Sequence, residues 1–201
     1  MKSFVVILCA ILTSSCLCSA YNTCTIDGYG VFDDGFDVDG LNVYGTADMT
    51  GGRVRNAIQL YGTINIYGGT VGDSLICWDG GRANIYNIDQ INTAYGFSII
   101  AHHASGLINI YGGAGTGGFI NQLDIGGTSY ANIYGFDLIK ISTGGYYGCG
   151  TVSGRWKSGQ SFVFNNYYSC DLSRINLIEI PEPATLLLLG LGGLVMRKCR
   201  R

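Results

Sequence analysis

The sequence INIYGG at Ile64–Gly69 decides the fold, because versions of it return along the chain. The related segments are Ala47–Gly52 (ADMTGG), Ala83–Ile88 (ANIYNI), Ile108–Gly113 (INIYGG) and Ala131–Phe136 (ANIYGF). Their starting positions are 17, 19, 25 and 23 residues apart, a mean of 21. A period of this length is typical of solenoids, in which each repeat is one supersecondary unit.

Apolar and polar residues alternate within each of these segments. Successive side chains of an extended strand point to opposite faces, so Ile64 and Ile66 face one way while Asn65 and Tyr67 face the other. Stacked coils would place like residues above like, about 4.8 Å apart. The pattern therefore predicts a shared aliphatic interior and outer rows of asparagine and tyrosine. The predicted tyrosine row is Tyr67, Tyr86, Tyr111 and Tyr134.

The fold class predicted from this pattern is all-β, a β-solenoid (β-helix) of about five coils with a small C-terminal β cap. A β-sandwich or barrel is the alternative, because short strands at regular spacing also fit it. The return of residue identity, and not only of polarity, at the same strand position favours the solenoid. Helices are disfavoured because the apolar residues recur at a spacing of two.

The N-terminus has the layout of a secretory signal peptide. Lys2 precedes the apolar run Phe4–Leu12, and small residues at Cys18 and Ala20 predict cleavage after Ala20. A lipid anchor at Cys16 is the alternative, although the preceding Thr-Ser-Ser fits a lipobox poorly. Export implies an oxidising compartment.

Four cysteines lie outside the two terminal segments: Cys24, Cys77, Cys149 and Cys170. Four cysteines allow three pairings, and the sequence cannot choose among them. The short loop between them favours a disulfide from Cys149 to Cys170, and small buried thiols are the alternative. Zinc binding would need closely spaced pairs such as C-x-x-C, which this chain does not have.

Acidic residues are concentrated before the first repeat. Asp37 and Asp39, followed by Gly40, resemble part of a calcium loop, which offers carboxylate oxygens to a hard cation. However, Gly35 and Thr46 stand where the first and the closing acidic ligands would be expected. We therefore interpret this segment as a solvated acidic cap, of the kind that terminal solenoid repeats provide. We expect no metal and no cofactor.

The net charge between the two terminal segments limits the kinds of partner that the chain could bind. Between Tyr21 and Ile180 the chain has 7 basic and 13 acidic side chains, a net charge of −6. Phosphate binding needs a basic face, so no nucleic-acid partner is expected. Binding to an anionic membrane surface is disfavoured for the same reason.

The C-terminus has three parts: the triplet Pro181, Glu182 and Pro183, an apolar run at Ala184–Met196, and a basic end. Thirteen apolar residues are short for a bilayer core, but a transient span held by the basic end is consistent with them. The three parts together resemble the PEP-CTERM sorting signal. The repeats and the segment before the signal also resemble uncharacterised PEP-CTERM proteins, which have no activity to carry over.

The resemblance implies export in a Gram-negative-type bacterium and cleavage near the triplet by an exosortase, a membrane protease. It also implies delivery to the cell surface or extracellular matrix, often in bacteria that make exopolysaccharide. The chain then divides into a signal peptide, an acidic glycine-rich cap, the solenoid repeats, a C-terminal β segment and the sorting signal with its short transmembrane helix. Their predicted bounds are residues 1–20, 21–40, 41–142, 143–180 and 181–201.

No catalytic constellation is evident. Carbohydrate-cleaving β-helix enzymes need clustered carboxylates on one face, whereas the only glutamates are Glu179 and Glu182, and Asp124 and Asp137 lie 13 residues apart. The only histidines, His102 and His103, are adjacent on a predicted strand and would face opposite sides. Neither finding supports a catalytic or metal site.

The predicted function is therefore that of an exported, non-catalytic structural or adhesion protein. The outer tyrosine row has two interpretations: its rings could stack on the sugars of an extracellular polysaccharide, or tyrosines and asparagines could simply satisfy one another along the solenoid. The alternative function is a polysaccharide-binding or carbohydrate-active β-helix protein, a lyase or hydrolase.

Overall fold

The structure is a computed structural model that describes residues 23–87, 97–101, 105–113, 120–142, 150–166 and 172–181. The predicted signal-peptide cleavage site at Ala20, the histidines, and Cys149 and Cys170 lie outside these residues. So do Glu182, Pro183 and the rest of the C-terminal segment.

The described chain is almost entirely β, and its one helical element is the single 3₁₀ turn Leu172–Arg174. In chain order the strands are β1 (Thr23–Ile26), β2 (Tyr29–Phe32), β3 (Asp37–Val38), β4 (Gly40–Val43), β5 (Thr46–Met49), β6 (Arg53–Val54), β7 (Ile58–Leu60), β8 (Thr63–Ile66), β9 (Thr70–Val71), β10 (Ser74–Cys77), β11 (Arg82–Ile85), β12 (Phe97–Ala101), β13 (Leu107–Ile110), β14 (Ile120–Ile125), β15 (Tyr130–Ser142), β16 (Gly150–Arg155), β17 (Ser161–Asn166) and β18 (Ile175–Glu179). Within the described ranges, no helix is long and apolar enough to cross a membrane.

The strands form three parallel sheets in a β-helix-like arrangement. The first sheet contains β1, β4, β7, β10, β12 and β14, the second contains β2, β5, β8, β11, β13, β15 and β18, and the third contains β3, β6 and β9. Antiparallel pairing of β15 with β16 and of β16 with β17, together with the contact of β17 with β14, joins the first two sheets. From β1 to β15, strands that follow one another in the chain belong to different sheets, so this part of the chain winds around one interior.

The second sheet holds the strands of the predicted repeat, and it pairs their equivalent residues. Ile64 pairs with Ala83, Ala83 with Ile108, and Ile108 with Ala131. The next inward column is Ile66, Ile85, Ile110 and Ile133, again in register. All eight of these side chains are fully buried. Each aliphatic side chain removed from water contributes about 1.5–3 kcal/mol, so the stacked columns are the main source of stability.

Parallel pairing extends beyond the predicted repeat region of residues 41–142 at both ends. On the N-terminal side, β2 pairs with β5 and places Gly30 and Phe32 beside Ala47 and Met49. On the C-terminal side, β18 pairs with β15 and continues both inward columns with Ile175 and Leu177. The predicted repeat region ends at Ser142, whereas the parallel pairing includes β18. The apolar-Asn-apolar core of the motif returns once more, without its tyrosine and glycines.

The segment after the repeats packs against one end of the interior. The buried rings of Trp156, Phe162 and Phe164 form a cluster, with 3.9 Å between the ring centroids of Trp156 and Phe162. They belong to the β16–β17 hairpin and its turn. The three rings are therefore part of the hydrophobic core.

Candidate functional site

An asparagine ladder runs along the outer face of the second sheet. It consists of Asn65, Asn84, Asn109, Asn132 and Asn176, and it begins at Asp48. The Nδ2 of each asparagine donates to the Oδ1 of the ladder residue on the adjacent strand, at 2.8–2.9 Å. All the bonds point the same way because in-register parallel strands repeat one geometry. Each such bond contributes about 1 kcal/mol net.

The first acceptor of the ladder, Asp48, is charged. Asp48 Oδ1 accepts from Asn65, and Asp48 Oδ2 accepts from the hydroxyl of Tyr29 at 2.6 Å. The hydrogen bond to this carboxylate, followed by desolvation, raises the pKa of Tyr29 above its usual value. Both carboxylate oxygens of Asp48 therefore accept a hydrogen bond from a neighbouring strand or its tyrosine.

The predicted tyrosine row lies next to the ladder. Tyr67, Tyr86 and Tyr111 directly follow strands β8, β11 and β13, and Tyr134 lies within β15. Tyr67 and Tyr86 have ring centroids 4.8 Å apart and an interplanar angle of 3°, and Tyr86 and Tyr111 are 4.8 Å apart at 6°. Tyr111 and Tyr134 follow at 4.3 Å and 18°. The sequence therefore predicted correctly which four rings come together.

The stacking leaves little ring face for a ligand within the row. The rings cover one another face to face, so the edges and hydroxyl groups remain for contact with solvent. Burial, together with a hydrogen bond to Tyr134, raises the pKa of Tyr111. A polysaccharide lying along the row would meet these edges and hydroxyls rather than open aromatic faces. Stacking of sugars on Tyr67, Tyr86, Tyr111 and Tyr134 stays a prediction.

A second aromatic row lies at the opposite end of the same strands, and sequence reasoning did not find it. Tyr44 stacks on Tyr61 at 4.6 Å and 7°, and Tyr61 lies over Trp78 at 5.9 Å and 5°. The sequence did contain a signal for this row. Val43–Asn56 aligns without a gap on Leu60–Asp73, and this alignment places Tyr44 opposite Tyr61. In the next coil the equivalent residue is Trp78 rather than tyrosine, so a search for a repeated tyrosine does not detect the row.

The acidic N-terminal segment forms an ion pair in this structure. Arg55 Nε and Nη2 donate to the two carboxylate oxygens of Asp37 at 2.8 and 2.7 Å. Asp33 Oδ1 accepts from the backbone N–H of Gly35. In the part of the chain that the structure describes, no group of three or more His, Cys, Asp or Glu side chains could hold a metal.

The Arg55 pair predicts a specific acid titration. The hydrogen bonds from Arg55 lower the pKa of Asp37 below its ordinary 3.8. The pair's stabilising effect is therefore complete above pH 3.8 and is lost as the pH falls through the depressed pKa. We expect Arg55→Met to raise the pKa of Asp37 toward 3.8, measured by NMR titration of its carboxyl carbon. Arg155→Met, which breaks a pair with Asp137, should leave Asp37 unchanged. An Asp37 that titrates identically in Arg55→Met and wild type would contradict the assignment.

Two of the four cysteines lie within the described residues, and both Cys24 and Cys77 are buried in the core. Burial raises the pKa of the Cys77 thiol to about 12. The disulfide predicted between Cys149 and Cys170 lies outside the described residues and stays a prediction.

Cys77 should be inert in the folded protein. The reactive species is the thiolate, and at pH 8 a thiol with a pKa near 12 supplies almost none. We expect iodoacetamide to leave Cys77 unmodified in native protein and to modify it fully in denaturant, followed by peptide mass mapping. Rapid native labelling of Cys77 would show that this part of the core opens.

Three of the other carboxylates discussed from the sequence lie within the described residues, and Glu182 lies outside them. Asp124 is buried on β14, whereas Asp137 is exposed and pairs with Arg155. Glu179 Oε1 accepts from the backbone N–H of Leu138 at 2.8 Å. These three groups are each held in separate structural contacts.

The fold and the surface together describe a β-helix-like protein whose outer face carries an asparagine ladder and a row of stacked tyrosines. The C-terminal end of the chain matches the PEP-CTERM protein-sorting motif over residues 179–201. The chain therefore carries this motif, and it is an exported, cell-surface-directed protein that an exosortase processes. No curated protein and no solved structure matches the chain significantly.

The structure shows where the motif begins. Its first matched residue, Glu179, is the last residue of β18. The N–H of Ile180 still donates to the carbonyl oxygen of Gly135 at 2.9 Å, and the next residue, Pro181, is exposed. Since proline has no N–H to donate, regular strand pairing stops where the triplet starts.

Proposed function

We propose that this protein is a non-catalytic structural or adhesion protein of the cell surface or extracellular matrix of a Gram-negative-type bacterium. The observation that carries the proposal is the unbroken register of the second sheet, from β2 to β18. Such a body is rigid because every coil is fixed by its neighbours, and its outer face repeats one chemical pattern along its length. A rigid, repetitive surface suits scaffolding or adhesion better than turnover of a substrate.

We also propose how the protein is delivered to the cell surface. The triplet Pro181, Glu182 and Pro183 directs exosortase cleavage, after the apolar run at Ala184–Met196 has inserted transiently into the inner membrane. The exposed position of Pro181, just after β18, supports recognition of this first residue of the triplet by a protease.

One experiment tests both parts in an exosortase-bearing host from which the gene has been deleted. Wild-type protein should appear at the surface and restore cohesion of the extracellular matrix. Triple alanine substitution of Pro181, Glu182 and Pro183 should leave the protein in the membrane fraction and fail to restore cohesion. Asp73→Asn, a surface change away from the signal, is the control and should behave as wild type. Unchanged cohesion after deletion would refute the adhesive role.

The second candidate is polysaccharide binding or cleavage, favoured by the two aromatic rows. Purified protein should release no reducing ends from a panel of bacterial polysaccharides, and release would establish an enzyme. Replacing Tyr67, Tyr86 and Tyr111 together with serine tests binding along the tyrosine row. Unchanged polysaccharide retention by that folded variant would exclude the row as a binding site.

A further inference from the structure

A groove of about 650 Å³ lies between the tyrosine row and the C-terminal hairpin. Tyr86 and Tyr111 line it from the second sheet, and Lys157, Ser158 and Gln160 line it from the β16–β17 turn. Its volume is within the range of about 300–1,000 Å³ that is usual for small-molecule sites. The groove thus combines residues of the repeats with residues of the cap.

One of the residues that line the groove is a glycine, Gly113. A Cβ built on Gly113 would meet no atom within 4 Å. Its backbone is not in the left-handed region, so a larger side chain could be placed there without backbone strain. Because Gly113 lines the groove and has open space around its Cβ position, we expect a large side chain there to narrow the groove.

Among the described residues that line the groove, Lys157 is the one with a cationic side chain. Within the described ranges, Arg55 pairs with Asp37, Arg155 pairs with Asp137, and Lys140 donates to the carbonyl oxygen of Leu172. The Lys157 side chain has no ion pair or hydrogen bond in the same part of the chain. An unpaired cation beside a groove, in a body of net charge −6, leaves an anion site available.

The residues that line the groove disfavour several classes of ligand. None of the described residues that line the groove is a carboxylate, so within this part of the chain the groove offers a divalent cation none of the ligands it prefers. One lysine is too few for a nucleic acid, whose affinity comes from several phosphate contacts. The hydroxyl groups of Tyr86, Tyr111 and Ser158 and the amide of Gln160 offer hydrogen bonds that a lipid chain would leave unused.

We propose that this groove binds a short acidic oligosaccharide. Lys157 pairs with a sugar carboxylate, the hydroxyl and amide groups hydrogen-bond sugar hydroxyls, and the tyrosine edges contact the apolar faces of the sugar rings. The inference deepens the proposed adhesive function, on which it rests, by naming the class of matrix component that is bound.

The test uses the full-length chain in neutral detergent and three probes: trisaccharides of galacturonate, glucuronate and mannuronate. Calorimetry should show that at least one binds, with affinity that falls as salt is raised, while neutral maltotriose binds at least 10-fold more weakly. Lys157→Gln should remove this difference. Gly113→Leu should abolish binding of the acidic sugar by filling the groove.

Matched controls separate these effects from general damage. Gly28→Leu changes another glycine with open space around its Cβ, and Arg53→Gln removes another surface charge. Both should bind as wild type does. Binding of none of the acidic sugars, wild-type affinity in Lys157→Gln or Gly113→Leu, or equally tight binding of triglutamate would overturn the inference.

The inference and the proposed function can fail separately. If the acidic sugars do not bind but the wild-type gene still restores matrix cohesion, the groove assignment is wrong and the adhesive role stands. If a sugar binds through Lys157 but deletion of the gene leaves cohesion unchanged, the groove assignment stands and the adhesive role is wrong.

Discussion

Replacement of Gly62 by alanine should destabilise the protein by about 4 kcal/mol or more, a loss large enough to abolish cooperative folding in many domains. Gly62 follows Tyr61 at the corner between the first and second sheets, and its N–H donates to the carbonyl oxygen of Val43 at 2.8 Å. A Cβ at Gly62 would overlap the carbonyl oxygens of Gly45 and Tyr44 in the coil beneath. The two corners cannot move apart without breaking the register of both sheets.

The matched control is Gly28→Ala, since a Cβ at Gly28 meets nothing within 4 Å. A surface change of this kind should alter stability by no more than about 0.5 kcal/mol. Urea unfolding followed by circular dichroism would measure both variants. Equal midpoints for Gly62→Ala and Gly28→Ala would mean that the corners are not in close contact.

Replacement of Asn84 by leucine should cost about 2–3 kcal/mol, because two hydrogen bonds in the middle of the asparagine ladder are lost. Asn84 donates to Asn65 and accepts from Asn109, both at 2.8 Å. Leucine has nearly the same size but neither group, so the Oδ1 of Asn65 and the Nδ2 of Asn109 lose their partners on a half-buried face. Thermal and urea unfolding would give the free energy of unfolding.

Asn176→Leu is the control for the ladder. Asn176 is the terminal member, is exposed, and donates a single bond to Asn132 at 2.9 Å. Its replacement should cost about 1 kcal/mol. If the two variants lose equal stability, the ladder is a set of independent surface contacts; if neither loses any, its bonds contribute nothing net.

The strands of the repeat could be predicted because their signal is local. Alternation in INIYGG assigns Ile64 and Ile66 to one side and Asn65 and Tyr67 to the other, whatever the rest of the chain does. Return of the same residues at Ile108–Gly113 then predicts that like stacks on like. The buried columns and the four tyrosines of the row follow from these two facts.

Elements with a weakened signal were missed for a physical reason. In β18 the pairing needs only apolar side chains at Ile175 and Leu177 and an asparagine between them, so the tyrosine and glycines of the motif can be lost. Trp78 likewise stacks on Tyr61 because any flat ring fits a parallel stack. Structural equivalence depends on shape and polarity, and it therefore tolerates changes that identity-based repeat detection does not.

The sequence by itself determined the alternation, the stacking order and the sorting motif, because each is written in neighbouring residues or in a repeated interval. Only the tertiary structure decided that the tyrosine rings cover one another's faces, that Asp37 is paired with Arg55, and that Lys157 stands beside Tyr86 and Tyr111. These contacts depend on how closely the coils stack and where the terminal hairpin returns. Both are set by packing between segments far apart in the chain.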